Sequence, residues 1–546
     1  MKTVYRILGC LLKFRYFLNI IETMGEESMK LKYFSIFLFL FLLICSANAI
    51  YAATDDTILE LDQSENAISA DSDDVVAVSN EDTLSDSQEE VVLADTADSG
   101  ASSTEATVTP TAARNKFSKD LKNKEAVINL TGDITITKPF EIRYNVVIDG
   151  QGHSIDAQKK SNIFKIYSAT VTLKNIILKN GKSDRGGAIY TSKTKLTLKN
   201  CTFSYNRATE SGGAIFAYLG DGVSIDKSTF KNNAATSFGG ALYIYTARLT
   251  LKDSVFKNNK IDSSKKAGCG GAVYTYKKSS SISKCTFTSN TCLSKSLKSH
   301  KKATQYQFGG GALFYSQGTS HTLNDCTFSY NKASNHGGAV YCLKSSKLTI
   351  NKCTFKKNKV AFEDGGAITF NGKKLIIKNS KFIKNHAYED GGVMDACTQN
   401  GKKVTIKITG TLLEGNTAYK GAGALWMGKK TYYTMTNDKF IKNEAGIGGA
   451  LFSEDTTAKI TKCLFQGNRA RQVSSFRMTT KAGGVLKHCG GALMLQKKSV
   501  TFKKCTFKKN RATYGGAIFK KGGKLKTSSC KFSGNKASKS GNNIKK

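Results

Sequence analysis

The sequence predicts an all-β fold: a right-handed parallel β-helix solenoid of about 15 coils, preceded by an export signal and an acidic linker. Three observations predict it. Two short phrases, Phe-x-x-Asn and Gly-Gly-Ala followed by an aliphatic residue, recur alternately at a period of about 26 residues, the mark of a stacked array. Between them run stretches such as Lys195-Leu-Thr-Leu-Lys199 and Lys347-Leu-Thr-Ile-Asn351, where apolar and polar residues alternate as in a strand with one buried face. Proline occurs only at Pro110 and Pro139, which suits a body whose backbone amides serve ladder bonds.

The elements follow in chain order. Residues 1–28 hold a weak apolar stretch broken by Lys13 and Arg15, and are read as an extension ahead of the true start. Residues 29–53 carry a basic beginning, an apolar run from Phe37 to Ile44 and the small-residue site Ala47-Asn48-Ala49, the three parts of a secretory signal peptide. The run is too short for an ordinary membrane span. The mature chain is therefore expected outside the cell or on its surface, with no span of its own. Residues 54–113 are read as a disordered acidic linker, because so few large apolar groups cannot offset chain entropy. Residues 51–113 carry −16 with no Lys or Arg, whereas residues 114–546 carry +53. Such a body attracts polyanions. The export signal argues against nucleic acid as the partner.

Residues 114–546 form the solenoid. Phe117–Ile128 is expected to be a short helix capping its open first edge. The first phrase is headed by Phe203, Phe230, Phe256, Phe287, Phe328, Phe355, Phe382, Phe440, Phe465, Phe507 and Phe532, with Leu413–Asn416 and Ile177–Asn180 as aliphatic versions. Each Phe should stack on the next at the strand spacing of about 4.8 Å. The closing residues, among them Asn206, Asn233, Asn259, Asn331, Asn358 and Asn385, should sit in turns. There they would take the left-handed conformation and hydrogen-bond their counterparts above and below. Paired glycines permit dihedrals and close approach that a side chain would block. At the far end Gly541-Asn542-Asn543-Ile544 stands where Gly-Gly-Ala-Ile is expected, and the repeat decays into a lysine-rich tail.

Candidate sites come from departures and repetitions. Cys201, Cys285, Cys326, Cys353, Cys463, Cys505 and Cys530 stand two residues before the motif Phe, where Ser228, Ser254 and Ser380 stand elsewhere. They read as free thiols filling one inner stack, since in-register side chains about 4.8 Å apart sit poorly for a disulfide. Insertions at 260–269, 291–309 (with His300 and Tyr306) and 469–489 enter the coil at the same place, so they should emerge along one edge as a candidate binding face. Glu363-Asp364 and Glu389-Asp390 each precede a Gly-Gly in neighbouring coils, with Asp395 and Glu414 in or beside them. Stacked carboxylates need a cation, a lysine or a raised pKa. Ca²⁺ is the metal such clustered oxygens suit, and Lys357, Lys359 and Lys384 are the alternative counter-charges. No Cys-x-x-Cys or Cys/His clamp and no hydrolase or lyase signature is found, so no catalytic residue and no other cofactor is assigned. Lysine pairs such as Lys356-Lys357, Lys503-Lys504 and Lys508-Lys509 should align along the rod and meet a polyanion many times over.

The two alternating phrases resemble the repeats of the chlamydial polymorphic outer membrane proteins. The layout of signal, acidic linker and lysine-rich β-helix resembles the adhesin-like proteins of methanogenic archaea. Val146-Val-Ile-Asp-Gly-Gln-Gly-His153 is similar to the first coil of pectin-lyase-like β-helices. The resemblance covers residues 115–546 and implies a secreted or cell-surface protein with an adhesive role. The chlamydial proteins end in a membrane barrel, whereas the sequence here ends on its last repeat, so that export route is not expected. The expected function is an extracellular adhesin-like scaffold, not an enzyme, engaging anionic glycans, cell-wall polymers or the surfaces of host or partner cells. The alternatives are a polysaccharide lyase or glycoside hydrolase on the same fold, and a passive structural surface protein.

Overall fold

The computed structural model describes residues 109–263, 268–294, 308–396, 403–471, 478–479, 485–486 and 488–546. The expected extension, signal and linker up to residue 108 lie outside the described residues, as do His300 and Tyr306.

The chain enters through a helix, Pro110–Lys122, laid across the first coil. Thr109 caps it, its hydroxyl accepting the Ala112 N–H, and Pro110 stands at the first helical position, where its missing N–H is no loss. Phe117 is buried against Phe140, with ring centroids 4.8 Å apart, so the helix covers strand edges that would otherwise be open. The expected span, Phe117–Ile128, is corrected at both ends. Thr109-Pro110-Thr111-Ala112 is a helix start that the linker's composition hides. Lys124 turns left-handed (φ 57°), and Ile128 lies in the first strand, Val127–Asn129.

Each coil then passes through up to four parallel ladders. The first sheet runs from Val127–Asn129 to Lys524–Ser528, the second from Ile134–Thr135 to Lys531–Ser533, and the third from Phe140–Ile142 to Ile544–Lys545. Each is 15-stranded, and a 13-stranded elbow ladder, Lys182–Arg185 to Lys536–Ser540, joins the second sheet to the third. This is the right-handed parallel β-helix the period predicts. The alternating stretches behave as strands with one inner face: in Lys195–Lys199, Leu196 and Leu198 are buried while Lys195 and Lys199 are exposed.

The second sheet carries the aromatic core. Phe203 through Phe382 stack ring on ring with centroids 4.7–4.9 Å apart, and a second run joins Phe440, Phe465, Phe507 and Phe532 at 4.7–5.0 Å. Leu413 separates the runs, in register with both Phe382 and Phe440. The other aliphatic version is misregistered. Leu178, not Ile177, pairs with Phe203, and Gly181 rather than Asn180 takes the asparagine site, its N–H donating to Asn206 Oδ1.

The asparagines form a buried ladder. Asn206, Asn233, Asn259, Asn290, Asn331, Asn358 and Asn385 are fully buried. Each donates Nδ2–H to the Oδ1 of the next, as Asn358 does to Asn385 at 2.9 Å, and to a carbonyl of the preceding coil, that of Leu178 for Asn206 and of the motif Phe for the others. The expected left-handed backbone is corrected by one position. The exposed or half-exposed residue before each asparagine takes it, as at Tyr205 (φ 57°), Lys357 (φ 54°) and Lys384 (φ 52°). The asparagine points inward, where its amide must satisfy backbone groups that water cannot reach.

The Gly-Gly corner is equally constrained. Gly212 has φ 68°, and a Cβ on Gly213 would stand 2.0 Å from the Gly240 carbonyl oxygen, so the coils meet there backbone to backbone. At the last coil the Asn543 carbonyl accepts the Ile518 N–H at 2.9 Å, so the altered phrase still closes the third sheet. Among the described residues no helix is long and apolar enough to cross a membrane.

Candidate functional site

The three insertions all leave the elbow ladder. Lys260–Ser263 pairs with Thr291–Ser294, Gly268–Cys269 pairs with Phe308–Gly309, and Arg469 continues the same ladder. They therefore emerge along one edge, and the third adds an antiparallel pair, Met478–Thr479 with Val485–Leu486.

Beside that edge the third sheet carries an outer layer that the sequence reading missed. Residues following the Gly-Gly-Ala-aliphatic phrase point outward, and Tyr190, Phe216, Tyr243, Tyr274 and Phe314 stack at 4.8–5.6 Å. A second row, Tyr218, Tyr245 and Tyr276, stands beside it at 5.1 and 4.9 Å. Phe314 and Tyr341 are buried although they face away from the solenoid core, because Cys269 and the elbow fold over them. The signal was present: an aromatic repeatedly follows the phrase, but alternation alone assigns that position to solvent.

Beyond Tyr341 the column changes to Thr369 and Asp395, then returns to Trp426 and Phe452, stacked at 4.0 Å. The acidic cluster sits at this break. Asp364, Glu389 and Asp390 each bring a carboxylate oxygen within 4.8 Å of the others. The Asp390 N–H donates to Asp364 Oδ1 at 3.0 Å, and Thr369 Oγ1 donates to the Asp364 carbonyl at 3.0 Å. Glu363 turns away to His336, with Oε2 2.9 Å from Nε2. Asp395 is 4% exposed and acts on Asp364 through its charge, whereas Glu414 lies in the second sheet, outside the cluster.

Burial, then the neighbouring Asp395 charge, pushes the Asp364 carboxyl well above the ordinary carboxylate range. Burial, then Asp364, does the same to Asp390. Two such groups hold a proton between them or require a cation. Lys420 supplies one cation, its Nζ bonded to Glu389 Oε1. Of the flanking lysines expected to balance the cluster, Lys357 lies instead over the Tyr330 ring, 5.1 Å from its centroid. Asp390 Oδ1 is shut off from solvent without a hydrogen-bond partner. Of the four expected metal residues, Asp364, Glu389 and Asp390 converge and Glu363 does not. Three carboxylates can begin a Ca²⁺ shell, which takes about 6–8 oxygens.

The motif cysteines line the inner stack. Cys201, Cys285, Cys326, Cys353, Cys463 and Cys505 are buried, Cys530 is half-buried at the last coil, and all are free thiols. Burial pushes Cys201 up to about 11 and Cys285 up to about 12, which keeps them protonated and inert. Asp438 stands in the same column, two residues before Phe440. It is fully buried, accepts the Thr411 and Thr436 N–H groups at 2.8 and 3.0 Å, and is pushed up to about 7 by burial.

Basic residues cover the outer faces, but the long aligned rows expected of them are corrected. Lys356 and Lys508 share one ladder of the second sheet and are separated by Ile383, Glu414, Ile441 and Gln466, while Lys503 belongs to the first sheet. In-register cations come mostly in pairs, such as Lys174 with Lys199, Lys231 with Lys257, and Lys332 with Lys359. A shallow cavity of about 670 Å³ lies at the corner after the tyrosine row, lined by Leu219, Thr246, Lys277, Lys278 and Gln317.

The family described as right handed beta helix region matches residues 126–310, 299–407 and 397–545. No curated protein and no solved structure matches the chain.

Proposed function

The chain belongs to the right-handed β-helix family, and on that premise we propose that it is an extracellular adhesin-like scaffold that binds anionic glycans or cell-wall polymers without catalysis. The observation that carries this reading is the body's charge of +53, spread as paired cations along the coils rather than gathered over one catalytic groove. Each exposed cation is weak alone, and a polymer lying along the rod engages several at once. The outer tyrosine row beside Lys277 and Lys278 adds amphipathic surface suited to sugar rings and hydroxyls.

One observation favours a second reading, a carbohydrate-active enzyme: the paired carboxyls of Asp364 and Asp390, both pushed up, as an acid catalyst would need. Against it, Asp390 Oδ1 is closed off from solvent. The discriminating experiment incubates the full chain with a panel of acidic and neutral polysaccharides, measuring retention at two salt concentrations and chain length of the polymer afterwards. The scaffold reading expects retention of acidic polymers with unchanged length. Depolymerisation abolished by Asp364→Ala or Asp390→Ala would replace it with the enzymatic reading.

A further inference from the structure

The cations of this chain are overwhelmingly lysine, and its eleven arginines are unevenly placed. None occurs between Arg248 and Arg469, and then four fall within residues 469–511. The fold gathers three of these at one place. Arg469 and Arg511 are in register on the elbow ladder, and Arg511 is in register with Lys536 on the last coil. The other ladders described above carry at most two cations in succession. Arg471 stands beside this column, its guanidinium held by Glu444 on the preceding coil. With His488 and Thr513 these residues line a cleft of about 500 Å³ where the third insertion leaves the ladder.

The column is electrostatically incomplete. Arg469, Arg511 and Lys536 are exposed; Glu444 is in register with Arg469 but forms its ion pair with Arg471, and among the described residues no carboxylate forms an ion pair with Arg469, Arg511 or Lys536. Like charges directly opposite one another on neighbouring strands repel. Strand spacing holds these three at steps of about 4.8 Å. Lysines at the same positions would serve bulk charge equally well. Arginine differs in offering a planar fork of donors that grips an oxoanion through two hydrogen bonds.

We infer that the Arg469–Arg511–Lys536 cleft is a specific subsite for oxoanion groups carried on a polysaccharide, either carboxylate or sulfate, at the C-terminal end of the rod. This rests on the anionic-polymer reading and locates its recognition. Two guanidinium forks on successive coils take successive anionic groups of one chain, Lys536 extends the track, and Arg471, fixed by Glu444, forms its wall. The lysine pairs elsewhere then supply attraction without orientation.

The test is fluorescence anisotropy of the full chain with a labelled hexagalacturonate, a sulfated hexasaccharide and a neutral galactose hexamer. The charge-preserving double variant Arg469→Lys/Arg511→Lys should bind one of the anionic probes about tenfold more weakly, the loss of two charge-assisted forks. Lys231→Ala/Lys257→Ala, which removes more charge from a remote pair, should change binding less than about twofold. Which probe loses affinity identifies carboxylate or sulfate as the group read, and thermal midpoints verify that the conservative variants remain folded. Unchanged binding of both anionic probes by the arginine-to-lysine variant, or an equal loss in the lysine control, would overturn the subsite while leaving the broader reading in place. Failure of both anionic probes to bind even the unaltered chain at low salt would overturn both.

Discussion

Replacing Asn358 by Ala should destabilise the rod far more than its size suggests. The Asn358 side chain uses its full hydrogen-bonding capacity inside the core: Nδ2 donates to the Phe328 carbonyl at 3.0 Å and to Asn385 Oδ1 at 2.9 Å. Its Oδ1 accepts the Asn331 N–H at 3.1 Å and Asn331 Nδ2 at 3.0 Å. Alanine leaves the Asn331 amide and the Phe328 carbonyl without these partners in a region closed to water. At about 1–3 kcal/mol for each orphaned group, the loss is about 2–6 kcal/mol. Asn358→Asp sharpens the test. It keeps the acceptor for Asn331 but sets a carboxylate against the Phe328 carbonyl and Asn385 Oδ1, so it should be worse at neutral pH and partly relieved in acid, when the protonated group can donate. Urea unfolding followed by circular dichroism at about pH 7 and pH 4.5 reads both effects, and hydrogen exchange shows whether the opening stays within neighbouring coils, as a solenoid permits. A change under about 0.5 kcal/mol for Asn358→Ala would refute the ladder's structural role. An aspartate variant no more stable in acid would refute the donor argument.

Other outcomes follow from the same geometry. Phe355→Ala empties a fully buried site between Phe328 and Phe382 and should cost about 3–5 kcal/mol in chemical unfolding, whereas Phe355→Leu should cost clearly less, because Leu413 already interrupts the stack. Asp438 binds its proton more tightly folded than unfolded, so its contribution is fully present below about pH 4 and is lost as pH rises through about 7. Asp438→Asn should therefore flatten that window and raise stability at about pH 8 by up to about 4 kcal/mol, read from melts across pH. His321 and His386, both pushed down to about 4 by burial, act oppositely: their contribution is present above about pH 6.5 and lost as pH falls toward 4. His321→Gln should lessen the acid sensitivity. At the acidic cluster Asp390→Asn should raise the melting temperature, and millimolar Ca²⁺ should raise that of the unaltered chain and not of the variant if the three carboxylates take the ion.

The fold was legible because one coil's chemistry is written about a dozen times. Spacing placed Phe203 to Phe532 on one inner column, and the Gly-Gly phrase placed the corner. Local detail was less legible. Asparagine tolerates left-handed backbone, so its statistical preference pointed to the wrong residue, whereas burial of Asn206 decides that Tyr205 takes the turn. Ile177–Asn180 fitted the phrase by coincidence, and only pairing with Phe203 reveals the offset. Adjacency of Asp364 and Asp390 was readable from their shared place before a Gly-Gly. The partners of the adjoining Glu363 and Glu389, His336 and Lys420, come from other coils, and no local pattern names them. The outer aromatic layer escaped because a period of two separates inside from outside but does not show that an elbow will cover the outside.

The central claim is that the rod engages polyanions through distributed charge, and the salt dependence of binding tests it most directly. Affinity of the full chain for an acidic polysaccharide should fall steeply between about 0.05 and 0.5 M salt, as the screening length shrinks from above 10 Å toward about 4 Å. Deleting residues 54–113, which carry 16 Asp and Glu and no Lys or Arg, should raise affinity at every low-salt point. Binding undiminished at about 1 M salt, where the screening length is about 3 Å, and indifferent to that deletion, would contradict the account.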